Sequence, residues 1–201
     1  MKRLLQGIDV SNWQGSVDWA DHADGGVAFA FAKATEGGDY RDKWFARNWN
    51  GMRESWLVCG AYHFARPKGD PVEHARFFLR TVEAAGGLRR GDLVALDLET
   101  NDGLRPAQVA RYARRWCRHV ERHGRVRPFV YTFPSFAQNG HCAGLSEYPL
   151  WIACPEKPRG LPLVPRPWQG WTIHQYAQKP VDRNVFHGSR QELTRLGHHP
   201  R

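Results

Sequence analysis

The chain has 201 residues, a hydrophobic content of 41%, and 29 Lys plus Arg against 20 Asp plus Glu, for a formal charge of +9. That length suits one domain with a sizeable core, and the absence of any run of about 18 apolar residues excludes a helical membrane span. The positive balance favours a polyanionic partner: nucleic acid, an anionic cell wall or a membrane surface. Cys59, Cys117, Cys142 and Cys154 form no C-x-x-C pair and have no zinc-ligand spacing with His. No metal site, redox motif or cofactor is indicated, and reduced structural thiols are expected. Residues 1–6, Met-Lys-Arg-Leu-Leu-Gln, are too poor in apolar residues for a signal peptide, so synthesis in the cytosol is expected.

In chain order, short β-rich apolar runs occupy 7–10, 27–34, 57–64, 93–98, 128–132, 149–153 and 171–176. Several are nearly continuous, which suits strands buried on both faces, as in a parallel sheet or barrel. Between them, 71–85 carries Val72, Ala75, Phe78, Leu79 and Val82 near helical spacing, with Asp70 as N-cap, Pro71 in the first turn, and Gly86 and Gly87 as stop. Segment 106–123 aligns Val109, Tyr112, Ala113, Trp116 and Val120 on one face, with Gly124 as terminator. Strand then helix, repeated about five times, predicts a right-handed parallel α/β barrel. After Thr132 helical periodicity fades, so the final third is expected to add strands without full helices. The tail 188–201 holds one short predicted helix at 190–196 and a polar end expected to fray. One domain over 1–201 is expected, with its core at about 7–188.

Segment 93–99, Leu-Val-Ala-Leu-Asp-Leu-Glu, ends an apolar run in Asp97 and Glu99. Side chains alternate across a strand, so these carboxylates emerge on one face with α-carbons about 6.5 to 7 Å apart. Burial and mutual repulsion raise the pKa of one member of such a pair, and a proton donor beside an ionised partner is what glycosidic cleavage needs. A strand running into an acidic loop is the alternative. In a parallel barrel, chemistry gathers at the C-terminal strand ends. Those ends carry Asp9, Ser11 and Asn12; Lys33, Thr35 and Glu36; Tyr62 and His63; Asp97 and Glu99; Tyr131; Trp151; and Gln175 and Tyr176, with Asp182 just beyond. Carboxylates among aromatics fit a sugar site, since Trp and Tyr offer flat apolar faces to pyranose rings. His63 and His174 read as hydrogen-bonded core residues, Lys33 and Glu36 as a pair or as substrate contacts, and Trp13 as packing beneath the first loop.

Several motifs carry a family resemblance: Gly-Ile-Asp-Val-Ser-Asn-Trp-Gln-Gly at 7–15, Phe-Ala-Lys-Ala-Thr-Glu-Gly at 31–37, Gly-Ala-Tyr-His-Phe at 60–64, Ala-Leu-Asp-Leu-Glu at 95–99 and Val-Tyr-Thr at 130–132. With Pro-Leu-Trp-Ile-Ala at 149–153, His-Gln-Tyr at 174–176 and Val-Asp-Arg-Asn-Val-Phe at 181–186, the chain resembles the glycoside hydrolase family 25 lysozymes over about 7–188. The resemblance implies an irregular TIM-like β/α barrel of about five β/α units followed by strands lacking full helices. It also implies β-1,4-N-acetylmuramidase activity on peptidoglycan. By the same resemblance Glu99 is the general acid, Asp97 its acidic partner, and Asp9 and Asp182 further acids of the groove. Tyr62, Tyr131, Trp151, Gln175 and Tyr176 match substrate-contacting positions.

Asp97 is left with three possible roles: nucleophile, orienter of the acetamido group, or stabiliser of developing positive charge. The expected partners are peptidoglycan glycan strands and, through the basic surface, anionic wall or outer-membrane polymers, with the protein acting as a monomer. A non-catalytic sugar-binding barrel is one alternative. A nucleic-acid binder is another, disfavoured because Arg is scattered through both predicted helices. A protein made in the cytosol without a signal and acting on the wall would fit a phage endolysin released by a holin; a mature domain whose signal has been removed is the alternative.

Overall fold

The computed structural model describes residues 4–199, so the final Pro200 and Arg201 of the tail expected to fray lie outside the described residues. In chain order the elements are β1 (Leu4–Val10), α1 (Trp19–Asp24), β2 (Val27–Glu36), β3 (Tyr40–Arg41), α2 (Phe45–Glu54), β4 (Val58–Phe64), α3 (Pro71–Ala84), β5 (Leu93–Asp97) and α4 (Pro106–Gly124). Then follow β6 (Phe129–Thr132), α5 (Pro134–Phe136) running into a π-helical turn at Ala137–His141, β7 (Leu150–Ala153), β8 (Ile173–Ala177), β9 (Asp182–His187) and α6 (Arg190–Arg195).

Eight of the strands close a barrel. The neighbours β1, β2, β4, β5, β6, β7 and β8 are parallel, while β9 runs antiparallel between β8 and β1. The barrel therefore has five β/α units, the fifth with only a short helix, and then strands without intervening helices, as expected. The all-parallel reading is corrected at β9. Segment 177–182 is too short for a crossover helix, so the chain can only turn back. The two-residue β3 hairpins on the end of β2.

Alternation along each strand divides the core in two. Phe29, Phe31, Tyr62, Leu93, Ala95, Phe129, Tyr131, Trp151 and Phe186 fill the barrel interior. Ala30, Ala32, Val94, Leu96, Val130 and Ile152 face outward against Phe78, Val109 and Trp116 of the helices. Gly60 has a specific packing role, because a Cβ there would lie 2.3 Å from the Phe31 ring. Gly60→Ala is expected to cost about 1–3 kcal/mol of unfolding free energy, read from a urea midpoint shift.

The Asp70 carboxylate caps α3 by accepting from the Val72 and Glu73 amides at 2.7 and 3.1 Å. Gly124 is not the stop of α4: it is the last helical residue, and Arg125 beyond it adopts the left-handed conformation at φ 51. Nor does the tail fray at its first histidine, since the His198 amide donates to Asp92 O at 2.7 Å and the Gly91 amide to His198 O at 2.8 Å. All four cysteines are buried and unpaired. His63 and His174 are buried and hydrogen-bonded, His63 to Thr35 Oγ1 at 2.8 Å and His174 to Cys154 O at 3.0 Å.

Candidate active site

The phase of β5 sends Leu93, Ala95 and Asp97 into the barrel and Val94, Leu96 and Leu98 outward. Extended pairing continues past the strand end, where the Leu98 amide donates to Tyr131 O at 2.9 Å. Glu99 thus keeps the inward phase of Asp97 and emerges at the mouth. Asp97 is buried and Glu99 half-buried. Because β9 is antiparallel, its first residue lies at this same end, and Asp182 pairs directly opposite Asp9. The four acids therefore share one mouth.

Beneath them runs a chain of hydrogen bonds. The Tyr131 hydroxyl donates to Gln175 Oε1 at 3.0 Å, and Gln175 Nε2 donates to Asp9 Oδ2 at 2.9 Å. From the other side, Trp151 Nε1 donates to Asn184 Oδ1 at 2.8 Å, and Asn184 Nδ2 donates to Asp9 Oδ2 at 2.7 Å. These side chains are all less than a tenth exposed. Two amides thus fix one carboxylate oxygen, and each amide is oriented by an aromatic donor behind it.

The electrostatics follow from burial and crowding. Burial, reinforced by Asp182 and Glu99, pushes Asp9 up to about 7 despite its two amide donors. Burial carries Asp182 to about 6. Asp97 is held well above the usual carboxylate range by burial and by the adjacent Glu99, with Lys33 opposing. Glu99 is raised by burial and by Asp182, again against Lys33. The acids therefore retain protons at pH values where isolated carboxyls are ionised. Burial and the facing carboxylates Asp9 and Asp97 push the Tyr62 and Tyr131 phenols well above their ordinary range, so both remain neutral donors. One oxygen of Asp97, Oδ1, is buried without a hydrogen-bond partner among the described residues.

Lys33 is the fixed cation of the site. Its Nζ lies 2.7 Å from Glu36 Oε2 and 4.8 Å from the centre of the Phe64 ring, and Glu36 passes the charge contact on to Arg66 at 2.7 Å. The Lys33 and Glu36 pair is thus present; Lys33 opposes the upward shift of Asp97 and Glu99, while Glu36 adds slightly to that of Asp97.

Of the residues expected to touch substrate, Tyr62, Tyr131 and Gln175 are gathered around the acids. Trp151 is part of the floor. It is 2% exposed, stacked 4.4 Å from Phe31 and edge-on to Tyr131 at 4.9 Å, which leaves little ring face for a sugar. Tyr176 is not brought to the acids: it lies 6.2 Å from His174, with the Arg159 guanidinium 5.5 Å over its ring. Its neighbour Gln175 takes the inward position, so Tyr176 is carried to the other side of the strand. Trp13, expected beneath the first loop, is instead 86% exposed on the loop after β1.

Asn184 was not among the predicted site residues, although its spacing of two from Asp182 places it on the same strand face. Asn184→Ala leaves the buried Trp151 indole N–H and one side of Asp9 without a partner. A loss of about 1–3 kcal/mol in urea unfolding is expected, and an unchanged midpoint would show that the network does not support the fold.

Residues 8–185 match the sequence model of the Glycosyl hydrolases family 25. The chain belongs to this family. It is accordingly a glycoside hydrolase, as the ordered motifs imply. It is 36% identical over 199 residues to the protein YegX of Escherichia coli K12, covering 94% of this chain and 72% of that one. It is 33% identical to Lysozyme M1 of Streptomyces globisporus, with 96% and 71% covered. Among solved structures, the bacterial lysozyme of Streptomyces coelicolor superposes with a TM-score of 0.86 at 31% identity over 96% of both chains. The family GH25 lysozyme of Aspergillus fumigatus gives 0.87 at 27% identity, covering 98% of this chain and all of that one. The irregular barrel with its antiparallel closing strand is thus the family 25 fold.

Proposed function

We propose that the protein is a β-1,4-N-acetylmuramidase that cuts peptidoglycan between N-acetylmuramic acid and N-acetylglucosamine, with Glu99 as general acid and Asp97 as the group that orients the substrate acetamide. The observation that carries this reading is the convergence of Asp9, Asp97, Glu99 and Asp182 at one barrel mouth with raised proton affinity, in a family 25 chain with relatives named as lysozymes.

Glu99, half-buried and at the rim, donates its proton to the glycosidic oxygen as the bond to the anomeric carbon breaks. The acetamido carbonyl oxygen of the same sugar attacks that carbon, and Asp97 accepts a hydrogen bond from the acetamide N–H as the nitrogen gains positive character. The unpartnered Asp97 Oδ1 supports this role, because a buried acceptor without a protein partner is costly until a ligand donates to it. Glu99, now a carboxylate, then takes a proton from the water that opens the cyclic intermediate, so the β-configuration is kept. Tyr62 and Tyr131 remain neutral phenols beside the acids, and the exposed Trp13 ring offers an apolar face to a neighbouring sugar.

The test is reducing-end release from purified peptidoglycan, with mass spectrometry of the products and NMR of the anomer first formed. Muramic acid at the new reducing end, in the β-form, is expected. Glucosamine ends would overturn the bond assignment, an inverted anomer would remove the role given to Asp97, and binding without release would make the barrel a lectin.

A further inference from the structure

The outer face of α4 carries Arg111, Arg115, Arg118 and Arg122, all exposed and spaced four, three and four residues apart. That spacing stacks them in one row about 16 Å long, one arginine per helical turn. The arginines that read as scattered in sequence are therefore gathered into a single line. Among the described residues none of the four forms an ion pair, and acids nearby are engaged: Glu73 with Arg76 at 2.6 Å, and Glu121 with Arg127 at 2.8 Å. The Asp70 carboxylate, which feels Arg115, is held by two amides of α3. Like charges at this spacing weaken a helix rather than support it. The row also reaches the rim of the mouth. A cleft of about 390 Å³ between the loop after β4 and the first turns of α4 is lined by Lys68, Asp70, Arg111 and Arg115.

We propose that this row is a docking ridge for a linear polyphosphodiester, a flexible chain of phosphate-linked polyols of the kind that decorates bacterial walls. Arg forks match phosphate oxygens, and such a chain asks for nothing else from the surface. The large exposed apolar side chains, Trp13, Tyr40, Trp56, Leu161, Leu163 and Leu196, are all off α4, so the ridge lacks the wedge that a lipid surface would call for. It also lacks an aromatic platform for bases, since the neighbouring His119 and His123 rings pack on each other at 4.2 Å. The ridge goes beyond the proposed hydrolysis and does not require it.

The test is titration of fluorescent poly(glycerol phosphate) against the full chain across a salt series, repeated in the Glu99→Gln background so that binding is read independently of the proposed hydrolysis. The R111Q/R115Q/R118Q/R122Q variant is expected to bind more than about ten-fold more weakly at about 50 mM salt, and its salt slope to flatten by about 3. A control lacking Arg47, Arg80, Arg89 and Arg90 loses the same charge and is expected to change affinity less than about three-fold. The charge-reversed pair R115E/R118E gives an independent reading should the quadruple variant fold poorly. Equal losses in variant and control would reduce the effect to net charge, and absence of salt-dependent binding would remove the ridge. Duplex DNA binding more tightly through the same arginines would make it a nucleic-acid surface. Each of these results overturns the proposal.

Discussion

Glu99→Gln is expected to lower turnover of soluble glycan fragments by about 100- to 10,000-fold, the usual range for removing a general acid, with little change in KM. The amide fills the same space and can still donate a hydrogen bond, but it cannot deliver a proton to the leaving oxygen. The fold should not suffer. Glu99 carries a pKa raised by burial and by Asp182, so the native state holds its charged form at a disadvantage, and a neutral isostere relieves it. The expected result is therefore a dead enzyme that is at least as resistant to urea at neutral pH as the native chain. Turnover within ten-fold of the native rate, in a protein with an unchanged unfolding midpoint, would take the acid role away from Glu99. Asp97→Asn separates the two carboxylates: the amide offers a donor as well as an acceptor to the acetamide, so turnover should fall while binding of the uncut glycan persists.

Much of this site was legible in the sequence because strand chemistry is periodic. Spacing of two placed Asp97 and Glu99 on one face, and the same rule read backward puts Asn184 with Asp182. The Asp70 cap and Pro71 fixed the start of α3 to the residue. What escaped was whatever depends on direction or on distant partners. The antiparallel run of β9 is a property of the turn before it, and only that reversal brings Asp182 opposite Asp9. Trp151 read as a sugar platform because its type suits one, but the barrel interior needs its bulk over Phe31. Tyr176 shares a motif with Gln175, but Gln175 takes the inward place and Tyr176, at a register shift of the strand, lies beside His174 and Arg159. The left-handed stop at Arg125 was invisible because Gly124 beside it is the commoner choice for that conformation.

The floor of the site is arranged at some expense to stability, and Asp9→Asn should expose it. Asp9 is 7% exposed, and its pKa is raised from 3.8 to about 7, chiefly by burial and then by Asp182. For an acid whose folded pKa lies above its unfolded value, the native state binds the proton more tightly. The group's favourable linkage is then fully present below pH 3.8 and is lost as the pH rises through about 7. Native stability should accordingly fall between about pH 4 and 7 from this residue alone, with Asp182, Asp97 and Glu99 shifted in the same direction. An asparagine does not titrate, and its side-chain oxygen can still accept from Gln175 and Asn184. The stability advantage of Asp9→Asn over the native chain should therefore widen by about 2–3 kcal/mol between pH 5 and pH 8, read as diverging urea midpoints. Curves that stay parallel across this range would mean that Asp9 is already ionised in the folded protein and that the two amides outweigh its burial. If they diverge while activity falls, the buried acid destabilises the resting fold and supports the reaction, as expected for a group kept in the floor of a catalytic site rather than for packing.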